Sequence, residues 1–199
     1  MTADRDRFAQ GLTYDAYKAQ MTRNRDRLEQ NEGKVDLRTE DVGAFRDLPQ
    51  TLNVFVLAED WCGDVLANLP VLARLAQASG KLDLRIFLRD QNDDLMQRYL
   101  NRGQFKSIPV FAFFDQDFRE IGHWIERPAS VTDLRAKRRL DIFKQHPEFG
   151  SPDAPVDLLS EETRARLQAE IQKMRDETTR FANAEVVREL RELVSRVAA

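Results

Sequence analysis

The single cysteine of the chain, Cys62, stands in the run Glu59-Asp60-Trp61-Cys62-Gly63-Asp64-Val65, a polar turn between an apolar stretch and a helical pattern. A thiol at a helix N-terminus faces unclaimed backbone N–H groups and the positive end of the helix dipole. Both favour thiolate over thiol, and the thiolate is the nucleophile. Glu59, Asp60 and Asp64 act the other way, because a carboxylate close to sulfur disfavours a second negative charge. Arg89 and Arg127 are the cations available to offset them. Asp64 carries two readings, a first-turn carboxylate that suits the dipole and a relay of the proton to or from the thiol. Trp61 is read either as a core aromatic or as a platform shielding the sulfur. Arg89-Asp90 is read first as a strand-end ion pair and second as an anchor for an anionic group such as a glutathione carboxylate.

With one cysteine in the chain, an intramolecular disulfide is impossible and conventional dithiol chemistry is closed. Attack by Cys62 on a disulfide stops at a mixed disulfide until an external thiol or a partner protein completes the exchange. A metal cluster of Cys62, His123 and Asp60 or Asp64 lacks any recognised ligand spacing, so no metal site is expected.

The elements that must position this turn follow from periodicity. Leu52 to Ala58 is a nearly continuous run of β-formers, the mark of a central strand buried on both faces. Val65, Leu66, Leu69, Leu72 and Leu75 then follow helical spacing up to Gly80, with Pro70 as a kink. Leu82 to Leu88 reads as a strand, Asp93 to Leu100 as a helix, Val110 to Phe114 as a strand begun by Pro109, and Glu120 to Trp124 as its antiparallel return. Ser130 to Asp133 fits a capping box opening a helix to about Leu140. Upstream, Thr13 to Glu32 reads as one polar helix, Val35 to Leu37 as an edge strand, and Thr39 to Leu48 as a helix ended by Pro49. Residues 146 to 156 are rich in Pro, Gly and Asp and read as a linker. Beyond it, Ser160 to Thr178 and Glu185 to Val197 are charged helices with narrow apolar stripes, including Leu167, Ile171 and Met174, and Val186, Leu190 and Leu193. The stripes can cover the core or meet a partner, a second copy included.

The order strand, helix, strand, helix, strand, strand, helix predicts two parallel crossovers and a terminal hairpin. This is an α/β class, with a core domain over 35–145, a helical extension over 1–34, and a linker with C-terminal helices over 146–199. The Trp61-Cys62-Gly63 turn, with Ser107-Ile108-Pro109 downstream, resembles the thioredoxin superfamily. Glu59 to Asp64, Asn68-Leu69-Pro70, Leu88-Arg89-Asp90, and Trp124 with Arg127-Pro128 narrow this to a bacterial thioredoxin-like family marked by Trp-Cys-Gly-Asp, covering about Gly11 to Asp141. The resemblance implies a thioredoxin fold, a mixed sheet flanked by helices, and a cis bond at Ile108-Pro109 facing the thiol. It also implies that Ile108 and Pro109 present backbone to a substrate beside Cys62. Dithiol relatives resolve their mixed disulfide with a cysteine where this chain has Val65, and they keep a buried acid where it has Val56. The family's Trp-Gly-Pro-Arg-Pro pattern is interrupted here by Ile125 and Glu126.

Lys and Arg number 31 against 34 Asp and Glu, and both signs are interspersed, so neither nucleic acid nor an anionic membrane is an expected partner. The charged N-terminus lacks the apolar core of a secretory signal, and no run approaches a membrane span, which predicts a cytoplasmic protein. The functional expectation is a monothiol redox protein. Cys62 and Asp64 are its chemical groups, Trp61, Ile108 and Pro109 its substrate contacts, and Asp60, Arg89 and Arg127 its electrostatic support. It needs no cofactor, with glutathione or another small thiol as co-substrate and protein thiols or disulfides as partners. The alternatives are a scaffold module that kept the fold and lost catalysis, and a peroxide sensor in which Cys62 passes to sulfenic acid.

Overall fold

The computed structural model describes residues 2–195. One compact unit is built from the chain up to Arg127 together with the chain from Val186 onward, and Pro128–Glu185 forms a second.

The first unit is organised around β1 (Leu52–Ala58), every residue of which is buried. The sheet order is β2-β1-β3-β4, with β2 at Leu82–Leu88, β3 at Val110–Phe114 and β4 at Glu120–Ile125. β2 lies parallel to β1, with Leu52 opposite Leu82 and Ala58 opposite Leu88. β3 is antiparallel to β1, and β4 antiparallel to β3 with an irregularity at Phe113/Phe114. The mixed sheet flanked by helices is the thioredoxin-like architecture expected from the sequence.

Only one of the two expected crossovers is parallel. The 17-residue helix α5 (Gly63–Ser79) carries the chain from the end of β1 back to the start of β2. Between β2 and β3 the helix α6 (Asp93–Met96) has four residues, followed by a 3-10 turn at Gln97–Tyr99. The chain re-enters the sheet at the end where β2 left it, and β3 runs antiparallel to β1. That reversal brings Ile108-Pro109, which precedes β3, to the end of the sheet where β1 delivers Cys62.

The upstream region departs further from expectation. A helix α1 (Thr2–Ala9), not foreseen from periodicity, supplies Phe8, whose ring centroid lies 5.0 Å from that of Phe55. The single helix expected over Thr13 to Glu32 is two, α2 (Tyr14–Gln20) and α3 (Arg25–Gly33), separated at Asn24 with φ of 57°. The break frees the N–H groups of Thr22 and Arg23 to bond elsewhere, as described below. Val35 to Leu37 forms no strand. The outer edge of β2 is met instead by Leu12, which exchanges two backbone hydrogen bonds with Ile86 at 2.9 and 2.8 Å. Gly11 makes that approach possible: a Cβ there would stand 2.6 Å from Arg85 Cβ and 2.7 Å from the Phe87 ring.

α4 (Thr39–Arg46) has Arg38 at its cap position and ends before Leu48. The last helix, α9 (Thr179–Val194), joins the first unit from Val186 onward. Val186, Leu190 and Leu193 are buried in the main core, so this stripe covers the chain's own sheet unit. Trp124 Nε1–H donates to Glu189 at 2.7 Å and Arg191 donates to Asp41 at 2.8 Å, fixing that segment's register. The expected helix end at Val197 lies outside the described residues.

In the second unit, α7 (Ala129–Gln145) and α8 (Glu161–Glu177) enclose Ile142, Phe143, Phe149, Leu167 and Met174. The expected capping box does not form. Pro128 occupies the cap position, and Ser130 Oγ–H donates to Glu185 at 2.6 Å instead. Ser160 does cap α8, accepting from the Thr163 N–H at 3.2 Å.

Candidate thiol site

Strand β1 is apolar apart from Asn53, and after it the chain turns through the polar residues Glu59 to Trp61 before α5 begins. Cys62 is the N-cap residue of α5, with φ −86° and ψ 118°. Its side chain is half-buried, and the Sγ–H donates to the carbonyl oxygen of Ile108 at 3.5 Å. The Ile108-Pro109 peptide bond is cis. Cys62, Ile108 and Pro109 are thus brought together from segments far apart in sequence.

Burial pushes the Cys62 thiol above its ordinary range. The backbone N–H groups of Val65 and Asp64 pull it down, the Asp64 carboxylate pushes it up, and Arg127 pulls it down. The helix-terminus argument made from sequence therefore acts in the right direction but loses to desolvation. At neutral pH the resting group is a thiol.

Arg127 lies 2.9 Å from the Asp64 carboxylate and also pairs with Glu126. Glu126, in the position where the family pattern is interrupted, has φ of 67°. Its backbone is held on both sides: its N–H donates to Pro109 O at 2.8 Å, and its carbonyl accepts from Asn68 Nδ2 at 2.8 Å. Asn101 Nδ2 donates to its carboxylate at 3.0 Å. These bonds tie the loop after β4 to both the cis-proline segment and α5.

On the other flank Trp61 is 43% exposed, which excludes a core role, and the Arg89 guanidinium sits 4.7 Å from its ring centroid. Arg89 also pairs with Asp90 at 2.7 Å and donates to Lys106 O at 3.2 Å. It therefore links the thiol turn to the segment leading into Ile108. The Asp60 carboxylate is engaged with the α2–α3 break, accepting from Thr22 N–H at 2.8 Å, Thr22 Oγ1 at 3.2 Å and Arg23 N–H at 3.0 Å.

Sequence reasoning did not single out Glu59 or Tyr17 as site residues. Glu59 is 8% exposed, accepts from the Asp90 N–H at 2.8 Å, and is pushed up by burial. A carboxylate directly after a mostly apolar buried strand was the available signal. Tyr17 is fully buried, and nothing in its local sequence places it near the turn. Among the described residues, no group of three His, Cys, Asp or Glu side chains is arranged to hold a metal ion, and no helix is long and apolar enough to cross a membrane.

A family model described as Thioredoxin matches residues 11–139. The chain belongs to the thioredoxin family. That span includes α2, the thiol turn, the cis-proline segment and the sheet, so the break between α2 and α3 falls within the family region. No curated protein sequence matches the chain. Among solved structures, a crystal structure of an HIV epitope-scaffold aligns with a TM-score of 0.63 at 16% identity, covering 94% of each chain. A Pseudomonas aeruginosa protein of unknown function aligns with a TM-score of 0.58 at 19% identity, covering 83% of this chain and 95% of that chain. At these identities the likeness is one of fold.

Proposed function

We propose that the protein is a monothiol redox protein in which Cys62 forms a mixed disulfide with a small thiol such as glutathione or with a protein partner. The observation that carries this reading is the half-buried Sγ–H set 3.5 Å from the Ile108 carbonyl at the cis-proline segment. In the reaction, the Cys62 thiolate attacks one sulfur of a disulfide, a new S–S bond forms, and the departing sulfur takes up a proton. Val65 is fully buried where dithiol relatives have their second cysteine, so release requires an external thiol, which attacks the mixed disulfide and returns Cys62 to its thiol. Asp64 and Arg127 set the charge balance at the sulfur. Trp61 with Arg89, and the Ile108-Pro109 backbone, bound the approach. A cytoplasmic setting, where reduced thiols are abundant, suits a lone free cysteine.

The test is incubation with oxidised glutathione at pH 8 to 9, followed by intact-mass analysis. One glutathionyl adduct is expected, removed by dithiothreitol and absent from Cys62→Ser. A chain that iodoacetamide alkylates at Cys62 but that never acquires the adduct overturns the reading.

A second reading, a binding module without turnover, is favoured by the upward shift of the thiol. Its mark is unchanged partner capture by Cys62→Ser.

A further inference from the structure

The large apolar side chains left exposed among the described residues are Trp61, Phe105, Leu140, Leu158 and Phe181. The last three belong to the second unit. The first unit therefore exposes Trp61 and Phe105, and both lie on segments that build the thiol site. Single exposed hydrophobes are ordinary, whereas a group of them at one mouth marks a contact surface.

Phe105 is 57% exposed, yet its backbone is held. The Asn101 N–H donates to Phe105 O at 2.8 Å, and the Phe105 N–H donates to Asn101 O at 3.0 Å. The turn between them passes through Arg102 with φ of 53° and Gly103 with φ of 71°, and a left-handed arginine is uncommon. Asn101 Nδ2 also donates to Ser107 Oγ at 3.3 Å and to the Glu126 carboxylate at 3.0 Å. A loop fixed in this way holds an aromatic ring in water, an unfavourable arrangement that contact with a partner relieves.

Two observations tie that ring to the sulfur. From Phe105 to Ile108 the chain spans at most about 11 Å, and Ile108 O accepts from the Cys62 Sγ–H at 3.5 Å. Arg89 makes the second link. Its guanidinium lies 4.7 Å from the ring centroid of Trp61, the neighbour of Cys62, and its Nη1 donates at 3.2 Å to the carbonyl of Lys106, the neighbour of Phe105. Tryptophan and arginine are among the residue types that most often anchor interfaces.

We infer that Phe105 is a specificity-determining residue: with Trp61 it receives an apolar side chain that neighbours the partner's cysteine, so the preferred partner is a polypeptide rather than a small thiol. The inference rests on the thiol-exchange reading and names its substrate class. Glutathione offers charged groups and no apolar side chain, so it reaches the sulfur without using Phe105.

The experiment compares two alkylating peptides on the full chain, iodoacetyl-Gly-Phe-Gly-amide and iodoacetyl-Gly-Gly-Gly-amide. With either one, the thiol proton passes to solvent, the Cys62 sulfur displaces iodide, and a thioether forms. Rates are divided by those of N-acetylcysteine, which sees only the reagents' own reactivity. Cys62 is expected to prefer the phenylalanine peptide about tenfold, the scale of partly burying one aromatic side chain. Phe105→Ser should cut that preference to about threefold or less, while Phe105→Leu, which stays apolar, should keep most of it. A general change at the sulfur moves both rates and leaves their ratio alone, and thermal unfolding checks that each variant is folded. Phe105→Gln gives the same reading should Phe105→Ser not fold. A wild-type ratio near one overturns the inference, as does a preference that survives Phe105→Ser, or a sulfur that neither peptide reaches. Alkylation needs no disulfide exchange, so a missing glutathione adduct counts against the thiol-exchange reading, and a flat ratio counts against the role of Phe105.

Discussion

The Arg127 guanidinium lies 2.9 Å from the Asp64 carboxylate, and the two groups act on the Cys62 sulfur with opposite sign. Asp64 sits in the first turn of α5, where its charge suits the helix but disfavours a thiolate one turn-start away. Arg127 reduces that penalty by pairing with it.

Neutralising either partner should therefore move the thiol in opposite directions. Asp64→Asn is expected to lower the alkylation midpoint of Cys62, and Arg127→Met to raise it, each by about half a unit to one unit. Iodoacetamide rates between pH 6 and 10 check both. Because the folded thiol sits above its unfolded value, its contribution to stability is complete below the unfolded pKa, about 8.5. That contribution is lost as pH rises through the folded value. Wild type should thus lose stability at alkaline pH, and Cys62→Ser should lose less.

Glu59 is raised by burial, so the same sign applies at lower pH. Its contribution is full below the ordinary carboxylate range and lost as pH rises through the folded value. Glu59→Gln keeps an acceptor for the Asp90 N–H and removes the buried charge. It is expected to stabilise the protein at pH 7 by about 1 kcal/mol, or about 2–4 °C in Tm, with the gain vanishing near pH 4. Calorimetry at the two pH values reads the difference.

Asp60→Ala removes the acceptor that Thr22 and Arg23 share. A loss of about 2 kcal/mol is expected, since hydrogen bonds to a charged group are worth roughly 1.5–3 kcal/mol each in buried settings and less when exposed. Hydrogen exchange at residues 22 to 24 should accelerate first. Protection unchanged there would contradict this role of Asp60.

Asp41 is buried between Arg38 and Arg191. Burial alone would raise its carboxyl, but hydrogen bonds from Arg38 and Arg191 outweigh that and hold it below the usual range. Its contribution is present above the unfolded pKa and is lost as pH falls through the folded value. Asp41→Asn is expected to cost about 2 kcal/mol at pH 7 and to flatten the acid limb of the stability curve. Denaturant titrations at pH 7 and pH 3 test this.

Much of the sheet was readable because burial imposes composition. Leu52 to Ala58 is apolar except for Asn53, whose side chain donates to Asp115 O, and Val110 to Phe114 is apolar throughout, as burial on both faces requires. Both strands lie where their composition places them. The strand directions were less legible. Both buried neighbours of β1 are apolar runs, and the direction of β3 is seen only in its antiparallel pairing with β1. The break at Asn24 was hidden for another reason: it is held by Asp60, 36 residues away, whose carbonyl accepts from Asn24 Nδ2 and whose carboxylate accepts from the Thr22 and Arg23 N–H groups. The loop at Glu126 is similar, since its left-handed backbone is held by Pro109, Asn68 and Asn101 rather than by its own neighbours.

The sequence by itself determined that one sulfur stands at the junction of a buried strand and a helix, with no second cysteine to answer it. Local patterning suffices for that, because strand, turn and helix are each written in consecutive residues. The tertiary structure decided the state of that sulfur. Burial, the Asp64 and Arg127 charges and the Ile108 carbonyl reach Cys62 through space, and their sum makes the resting group a thiol. Electrostatic balance in a poorly solvated site depends on distances of a few ångströms, and those exist only once the chain has folded.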